Sequence, residues 1–464
     1  MKPSLYLIGL YFLFVHCAGP SSSSLANDHE TIVIGGGLMG SATAWQLAKQ
    51  DQAVLLLEKQ DSIYQEGSSY GQARIARSNN RGHDMWSYLH NTAVAETQIL
   101  VDYLQGVAPD QGYAIDQIYT TNPVTYVGRQ AIYDQLLASL LHQEIDYALA
   151  LTPEEGQAKF DVQLPQGVLM QREYNPLSGT LNPQQLIRYL HRALLYQGQA
   201  IRYNTGVENI SFNTQLDRYV VHTTDSQTGE KQRLYAKNIV SAAGPYTGRL
   251  LKDVAPYFAQ LIQPQRVFLA FLKIDQAQYR ALDQDQKDKI GNFYPVINSA
   301  RGTQADSFFS MIEYYDEAQV PVLKIGGHFQ RTPITDLDTV WGQTLSPEEI
   351  AWSRGHTADY LQLLNLPLTA ENLSFAGGYS CVYSLTEAEV PLVTPIVQED
   401  GTPNTRFIVL GGMSGVGAKG AMAYGKIAAS WMYLQTGKNP IDQRVKDTLG
   451  FKRLKKDLDQ LNFK

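Results

Sequence analysis

Three glycines near the start of the chain have a spacing that suits contact with phosphate groups. Gly35, Gly37 and Gly40 form a GxGxxG turn after an apolar segment, and Glu58 ends the next apolar segment. In such a turn the first glycine allows a sharp bend, the second lets backbone N–H groups approach a pyrophosphate, and the third packs a helix on a sheet. Glu58 would accept hydrogen bonds from ribose hydroxyls and repel the extra phosphate of NADP. The motif predicts dinucleotide binding without separating FAD from NAD, and a glycine-rich turn without a ligand is the alternative.

A second glycine-rich turn lies near the other end of the chain. Residues 411–417 (GGMSGVG) join a strand predicted over 406–410 to a helix predicted over 419–434. Backbone N–H groups in this turn would suit the electron-rich edge of a flavin ring or a substrate anion, and a plain turn is the alternative. Because the two turns stand at opposite ends of the sequence, we expect both ends to build one nucleotide-binding domain.

Composition excludes several other kinds of site. Cys17 and Cys381 are the two cysteines, so a disulfide framework and a four-cysteine metal site are ruled out. The nine histidines show no HxxxH or HExxH spacing, and we expect no metal. A net charge of −7 disfavours a nucleic-acid partner. The 464 residues exceed a single core of about 250–300 residues, so we expect two domains or one discontinuous pair.

The N-terminal segment is typical of a targeting signal. Lys2 precedes an apolar run over 5–15, which is shorter than the about 20 residues of a membrane span. Residues 24–26 (SLA) offer small side chains at a cleavage site. We therefore expect 1–26 to be a signal peptide and the mature protein to be exported, either periplasmic or secreted. Lipid attachment at Cys17 and an uncleaved membrane tether are the alternatives.

The residues that could bind a ligand or take part in a reaction need strands and helices to position them. Strands over 31–34 and 53–57 around a helix over 41–49 predict a right-handed βαβ unit. The other elements predicted from apolar periodicity are helices over 85–104 and 185–196 and strands over 219–222, 238–241, 267–274 and 320–325. Polar stretches predict surface loops or short helices over 275–289 and 332–349, and the basic tail from 445 reads as a solvated helix.

Five ordered segments resemble the monomeric sarcosine oxidase and N-methyltryptophan oxidase family, within the D-amino-acid-oxidase-like flavoproteins. They are the GxGxxG unit, 67–77 (GSSYGQARIAR), 323–328 (LKIGGH), 380–383 (SCVY) and 414–419 (SGVGAK). The resemblance implies FAD as the cofactor and a two-domain fold of the α/β and α+β classes. A discontinuous, Rossmann-like FAD-binding domain would be interrupted by a substrate domain built mainly on an antiparallel sheet.

The resemblance also implies domain limits. The FAD-binding domain is expected over 29–115, 181–250 and 371–440. The substrate domain is expected over 116–180 and 251–370, and 441–464 would form a C-terminal tail.

Two residues take chemical roles through the resemblance. Cys381 matches the cysteine that bonds through sulfur to the 8-methyl carbon of the flavin, whereas its residue type alone favours a buried free thiol. Lys324 matches the lysine near flavin N5 that promotes reaction with O₂, since a cation stabilises negative charge that develops on oxygen. The full set expected to contact the cofactor is Gly35, Gly37, Met39, Gly40, Glu58, Lys59, Ser68, Arg74, Val207, Gly244, Cys381, Gly415, Gly417 and Lys419.

Other matched residues would face the substrate. Arg77 and Lys419 match the pair that binds the substrate carboxylate, because arginine offers a planar fork and lysine a point charge. Arg74 matches a cation beside the flavin, His328 a histidine near the substrate, and Tyr383 an active-site aromatic. An exposed cation, a strand-end histidine and a core tyrosine are the ordinary alternatives for these residue types.

The chain departs from the family pattern around the substrate. Ser69 and Tyr70 replace a common His-His pair, Phe309 aligns with a tyrosine near the substrate, and Val416 replaces a histidine. Residues 387–390 (EAEV) replace an acidic stretch that ends in histidine. The carboxylate-binding pair is therefore kept while the pocket for the substrate side chain changes.

The resemblance implies oxidation of a secondary amine, an N-methyl or cyclic imino acid. A hydride would pass to flavin N5, and O₂ would reoxidise the flavin to give hydrogen peroxide. The expected partners are a small anionic amine and O₂, and the protein is expected to act as a monomer. An FAD-dependent amino-acid dehydrogenase with another electron acceptor and a non-catalytic flavin-binding protein are the alternatives.

Overall fold

The computed structural model describes residues 27–62, 64, 66–79, 85–175, 177–432 and 441–461. The signal peptide predicted over 1–26, with Cys17, lies outside the described residues. Within the described ranges no helix combines the length and apolar character that crossing a bilayer requires.

Strands outnumber helices in the described part of the chain. The strands are β1 (Asp28–Ile34), β2 (Val54–Leu57), β3 (Arg74–Ala76), β4 (Tyr119–Thr121), β5 (Val124–Arg129), β6 (Tyr147–Ala150), β7 (Val168–Glu173), β8 (Gly179–Leu181), β9 (Ala200–Arg202), β10 (Thr205–Asn213), β11 (Arg218–Asp225), β12 (Lys231–Ser241), β13 (Gln263–Ile274), β14 (Val296–Asn298), β15 (Phe308–Tyr315), β16 (Pro321–Gly327), β17 (Thr332–Pro333), β18 (Leu373–Leu385), β19 (Leu392–Val397) and β20 (Pro403–Gly411). The helices are α1 (Leu38–Ala48), α2 (Met85–Val107), α3 (Gln130–His142), α4 (Pro153–Phe160), α5 (Pro183–Tyr196), α6 (Thr247–Leu250), α7 (Phe258–Leu261), α8 (Gln276–Ala281), α9 (Gln284–Phe293), α10 (Pro347–Leu363), α11 (Ala421–Met432), α12 (Gln443–Leu449) and α13 (Phe451–Gln460).

The first sheet joins the two ends of the chain. Its strand order is β10-β11-β12-β1-β2-β9, with β20 beside β12 and β19 beside β20. β1 pairs in parallel with β2 and β12, and β20 pairs in parallel with β12. Because parallel strands end at the same edge of a sheet, the two glycine-rich turns that follow β1 and β20 open on one side. The predicted union of both chain ends in one sheet is confirmed.

The core of the first sheet explains its near-continuous apolar strands. Val33 is fully buried in a cluster with α1, α2, α5 and α11. Ile32 and Ile34 point the other way, into a second cluster with α7 and α13. Parallel strands that are covered on both faces bury every side chain, so apolar runs replace an alternating pattern.

The second sheet has the order β17-β13-β16-β15-β14-β5-β7-β6, with β18 beside β13. All its strand pairs are antiparallel except β14 with β5. The expected mainly antiparallel second sheet is therefore confirmed. A three-stranded sheet, β3-β8-β4, positions the segment that carries Arg74.

Two features differ from the expectations. β18 pairs with β13 along its whole length, so the chain returns to the first sheet at β19 and not at residue 371. The tail is not a solvated helix, because Leu454 and Leu458 of α13 are buried against the first sheet. These two leucines are four residues apart and lie on one face of the helix, while the lysines around them face solvent.

Candidate active site

A cavity of about 1800 Å³ is lined by residues of both sheets. It exceeds the about 300–1,000 Å³ of a typical small-molecule pocket, which suits a dinucleotide together with a substrate. Of the predicted site residues, Gly40 alone does not line this cavity. The predicted residues in its wall are Gly35, Gly37, Met39, Glu58, Lys59, Ser68, Arg74, Arg77, Val207, Gly244, Lys324, His328, Cys381, Tyr383, Gly415, Gly417 and Lys419.

The first glycine-rich turn leaves no room for side chains. Gly35 has φ of +99°, and a Cβ there would lie 2.5 Å from the carbonyl oxygen of Ala242. A Cβ on Gly40 would lie 1.8 Å from the carbonyl oxygen of Gly35, so Gly40 closes the contact between turn and helix. The turn thus brings the backbone and the start of α1 to the cavity with no side chain of the glycines between them, as the close approach of a pyrophosphate requires.

Glu58, which directly follows β2, supports this turn. One carboxylate oxygen accepts a hydrogen bond from the Gly36 N–H at 2.8 Å, and the other accepts from the Gln60 N–H at 2.8 Å. Burial raises the pKa of Glu58 from its ordinary value. The carboxylate still lines the cavity, so it both fixes the turn and keeps acceptor capacity for a ligand.

Lys419 follows the second glycine-rich turn, just before α11. It is 4% exposed, and its Nζ has no hydrogen-bond partner among the described residues. Nζ lies 4.9 Å from the centre of the Trp86 ring. Burial, followed by the charge of Arg77, holds the pKa of Lys419 well below its usual range. A buried ammonium in this setting is stabilised by an anion that enters the cavity.

Arg77 lies on the same part of the cavity wall. Its guanidinium carbon stands 5.6 Å from the centre of the Tyr126 ring. The fully buried Glu173 accepts hydrogen bonds from the Tyr126 hydroxyl at 2.8 Å and from the Ser78 N–H at 2.9 Å. Glu173 therefore anchors the chain directly after Arg77 and holds the aromatic ring against the guanidinium.

Lys324 lies on β16 and is 1% exposed. Its Nζ donates to the carbonyl oxygen of Ala73 and to the carboxylate of Glu313. Burial and the charge of Arg74 lower the pKa of Lys324 to about 7, against the opposing effect of Glu313. The structure thus places a cation in the cavity wall, with its proton held by a neighbouring carboxylate.

The guanidinium of Arg74 is hydrogen-bonded to the surrounding chain. Its guanidinium donates to the carbonyl oxygens of Ala73 at 2.8 Å, Ser68 at 3.1 Å and Tyr70, and to the Tyr379 hydroxyl at 3.4 Å. Arg74 therefore fixes the loop before β3 as well as lining the cavity.

Cys381 lies on β18, is 5% exposed and is a free thiol. Its Sγ lies 4.0 Å from the hydroxyl oxygen of Ser68, and that hydroxyl donates to the carbonyl oxygen of Val382 at 3.0 Å. The thiol is therefore at the cavity wall beside a loop that also contributes Arg74.

His328 and Tyr383 form another part of the wall. Their ring centres are 6.3 Å apart with edge-on geometry. A guanidinium nitrogen of Arg331 lies 3.0 Å from Nδ1 of His328, and Arg331 pairs with Glu389 at 3.2 Å. Because arginine only donates, Nδ1 acts as the acceptor in this contact. A Cβ on Gly415 would lie 2.9 Å from the Tyr383 ring, so this glycine permits the ring to pack on the second turn.

A profile of the family described as FAD dependent oxidoreductase matches residues 30–431. The chain belongs to this family. It is 24% identical over 426 residues to a probable sarcosine oxidase of Arabidopsis thaliana, covering 89% of this chain and 91% of that protein. It is 27% identical over 228 residues to the peroxisomal sarcosine oxidase of Homo sapiens, covering 48% of this chain and 53% of that protein. The fold is similar to a single-residue variant of NikD, an unusual amino acid oxidase, with TM-score 0.68, 17% identity and coverage of 91% and 97%.

The cavity of this FAD-dependent oxidoreductase fits its cofactor. The cradle at Gly35 and Gly40, the carboxylate of Glu58 and the second turn at Gly415 supply a groove with backbone donors at one edge of the first sheet. Lys324 and Cys381, both from the second sheet, line the same cavity.

Sequence reasoning missed several residues that shape the site. The buried carboxylates of Glu313 and Glu173 and the aromatic rings of Trp86 and Tyr126 belong to no motif that the sequence shows. A signal for Glu313 exists in the alternation of β15, where Phe309 and Met311 line the cavity and Glu313 follows at the same spacing. A charged residue at an inward strand position requires a buried partner.

Proposed function

We propose that this enzyme oxidises a secondary amine that bears a carboxylate, an N-methyl or cyclic imino acid, with O₂ as the electron acceptor. The observation that carries the proposal is the ammonium of Lys419, buried in the cavity wall near Arg77 without a hydrogen-bond partner among the described residues. Two relatives that match the chain are named sarcosine oxidases, and sarcosine is an N-methyl amino acid.

The cation pair would bind and orient the substrate. Arg77 offers a planar fork to the carboxylate and Lys419 adds a point charge. Fixing the carboxylate limits the substrate to orientations that aim the C–H bond beside nitrogen at the cofactor. The amine reacts in its neutral form, since a protonated nitrogen has no electron pair to release as the hydride leaves. Bound FAD supplies the two-electron acceptor for that hydride.

Lys324 would act in the dioxygen step. The amine loses a hydride and a proton to become an imine, which water hydrolyses, and O₂ gains two electrons and two protons as hydrogen peroxide. A protonated Lys324 stabilises the negative charge that develops on oxygen during this step. Its position in the cavity wall beside Arg74 and Cys381 supports the role.

We also propose that Cys381 holds FAD covalently. Its sulfur would form one bond to the 8-methyl carbon, with loss of the thiol proton and one methyl proton. The two electrons left on the cofactor then pass to O₂. Support comes from the thiol's place in the cavity wall and from its freedom from any disulfide among the described residues. Flavin that stays with acid-precipitated wild type but is released from Cys381→Ser is the expected result, and free flavin from wild type refutes the tether.

The function is tested on the purified holoenzyme with a panel of N-methyl and cyclic imino acids. Each is matched with the same amine lacking its carboxylate. Anaerobic bleaching of the flavin by the carboxylated members, and hydrogen peroxide release under air, are the expected results. Bleaching without peroxide, together with turnover of an added quinone, would identify a dehydrogenase instead. A flavin that no member of the panel bleaches would refute the proposed substrate class.

A further inference from the structure

Glu313 is a buried carboxylate that links the loop before β3 to Lys324 on β16. Its side chain is 3% exposed. One carboxylate oxygen accepts from the Gln72 N–H at 2.6 Å, and the other accepts from the Ala73 N–H at 3.1 Å and from the ammonium of Lys324. The loop before β3 can approach this closely because Gly71 has φ of +100° and its Cβ position would be 3.0 Å from the carboxylate.

Charged groups of three strands meet at the peptide of Ala73. Its N–H donates to Glu313, and its carbonyl oxygen accepts from both Lys324 and Arg74. Two cations and one carboxylate therefore meet at one peptide group, with Lys324 and Glu313 buried and Arg74 half-buried at the cavity wall. A buried cation next to a second cation loses its proton readily unless a carboxylate opposes that loss.

We propose that Glu313 is a positioning residue that keeps Lys324 protonated and holds its ammonium at the cavity wall beside the Ala73 carbonyl oxygen. The inference rests on the proposed role of Lys324 in the dioxygen step. It assigns to this chain a carboxylate–lysine pair in which the carboxylate acts through the lysine and not on the substrate.

The charge balance supports this assignment. The groups that face Lys324 are Arg74 from β3, Glu313 from β15 and Cys381 from β18, and Tyr379 of β18 contacts Arg74. Burial and Arg74 lower the pKa of Lys324, while Glu313 raises it, and the balance lies at about 7. Removing the carboxylate charge takes away the effect of Glu313 and leaves only Cys381 to oppose the lowering, so the pKa of Lys324 should fall further and a larger fraction of the lysine should be neutral at a given pH.

The test compares Glu313→Gln, Glu313→Asp and Lys324→Gln with wild-type holoenzyme. Glu349→Gln is the matched control, because Glu349 is a carboxylate 1% exposed and paired with Arg266 at 2.5 Å, away from the cavity lining. The first readout is the absorption spectrum of the bound oxidised flavin as a function of pH, which needs no turnover. The second is the rate constant of reoxidation by O₂ after photochemical reduction, measured over the same pH range.

In wild type, both readouts should titrate with Lys324, and reoxidation should slow as pH rises and the ammonium loses its proton. Glu313→Gln should move both midpoints to lower pH by about one unit or more, a change of about tenfold in proton affinity. Glu313→Asp, with its carboxylate drawn back, should give a smaller shift in the same direction. Lys324→Gln should abolish the titration, and Glu349→Gln should leave the midpoints in place even where it lowers Tm.

Midpoints in Glu313→Gln equal to those of wild type would overturn the proposal, as would a wild-type spectrum that does not titrate. If Glu313→Gln does not fold, Glu313→Asp decides, and an unshifted midpoint there overturns the proposal. A spectral midpoint that moves in Glu313→Gln and vanishes in Lys324→Gln, with reoxidation rates unaffected, supports the action of Glu313 on Lys324. That last result refutes the dioxygen role of Lys324 instead.

Discussion

Replacing Lys419 with methionine should weaken substrate binding and, at the same time, stabilise the substrate-free protein. The ammonium is 4% exposed, without a hydrogen-bond partner among the described residues, and repelled by Arg77. The desolvation penalty of such a group amounts to several kcal/mol, against about 0.5–2 kcal/mol from the contact with the Trp86 ring. Methionine fills similar space without the charge, so the free energy of unfolding should rise.

The same substitution removes the charged donor that we propose for the substrate carboxylate. A hydrogen bond between charged groups contributes about 1.5–3 kcal/mol. Since about 1.4 kcal/mol is tenfold in affinity, Kd should rise about 10- to 150-fold. Anaerobic titration of a slow or non-reducing carboxylate ligand, followed through the flavin spectrum, measures Kd directly. An amine without a carboxylate should lose no affinity.

The stability of Lys419→Met should also depend on pH differently from that of wild type. Burial and Arg77 lower the pKa of Lys419 in the folded state, so the unfolded chain binds the proton more tightly. The cost is absent above the unfolded lysine pKa of about 10.4 and grows as pH falls toward the folded value. Wild type should therefore gain stability from this group as pH rises through that window. Lys419→Met should lose that gain, which Tm measured against pH will show.

Lys426→Met in α11, the helix that follows Lys419, is the control. Lys426 pairs with Glu96 at 2.6 Å, so its loss should lower stability and leave Kd unchanged. An unchanged Kd in Lys419→Met would refute the assignment of the carboxylate to this cation. A Tm that falls in Lys419→Met as it does in the control would refute the argument that the ammonium is unsatisfied.

Two further substitutions probe the cradle and the tail. Gly40→Ala should yield protein with little bound flavin, because its Cβ would lie 1.8 Å from the Gly35 carbonyl oxygen, whereas Gly106→Ala, with open space around it, should keep its flavin. The flavin-to-protein absorbance ratio is the measurement. Leu454→Ala should lower the free energy of unfolding by about 2–5 kcal/mol in urea titration, and the exposed Lys455→Ala should not.

Apolar runs and glycine turns in the sequence predict those elements that are formed by neighbouring residues. The unit of β1, α1 and β2 is found within a few residues of its predicted limits, because short apolar runs flank a glycine turn. α10 shows why some helices cannot be predicted from the spacing of apolar residues. It buries Glu349, Ser353, His356 and Thr357 beside its apolar residues, so no apolar stripe marks the helix in the sequence.

The partners within the site depend on contacts distant in sequence. Glu313 and Ala73 are separated by 240 residues, and no spacing rule connects them. The resemblance to a known family identified Lys324 and Cys381 because it carries three-dimensional information that the residues alone do not. It did not identify Glu313, which lies outside the five matched segments. The same limit applies to β18, whose apolar pattern fits either sheet until its pairing with β13 is seen.

Four cations of the cavity wall, Arg74, Lys324, Arg77 and Lys419, divide into two pairs with different partners. Arg74 donates to backbone carbonyl oxygens, and Lys324 donates to the Ala73 carbonyl oxygen and to the Glu313 carboxylate. Near Arg77 and Lys419, the buried Glu173 accepts hydrogen bonds from Ser78, Tyr126 and Ser178. Lys419 gains only the charge of Glu173 at a distance and no hydrogen bond from it. A carboxylate that enters the cavity gains most where the protein has left a charge without a hydrogen bond, and among these four side chains the Nζ of Lys419 meets that condition. The substrate anion should therefore bind at Lys419, with Arg77 nearby, and not at Lys324, for which we propose the dioxygen step.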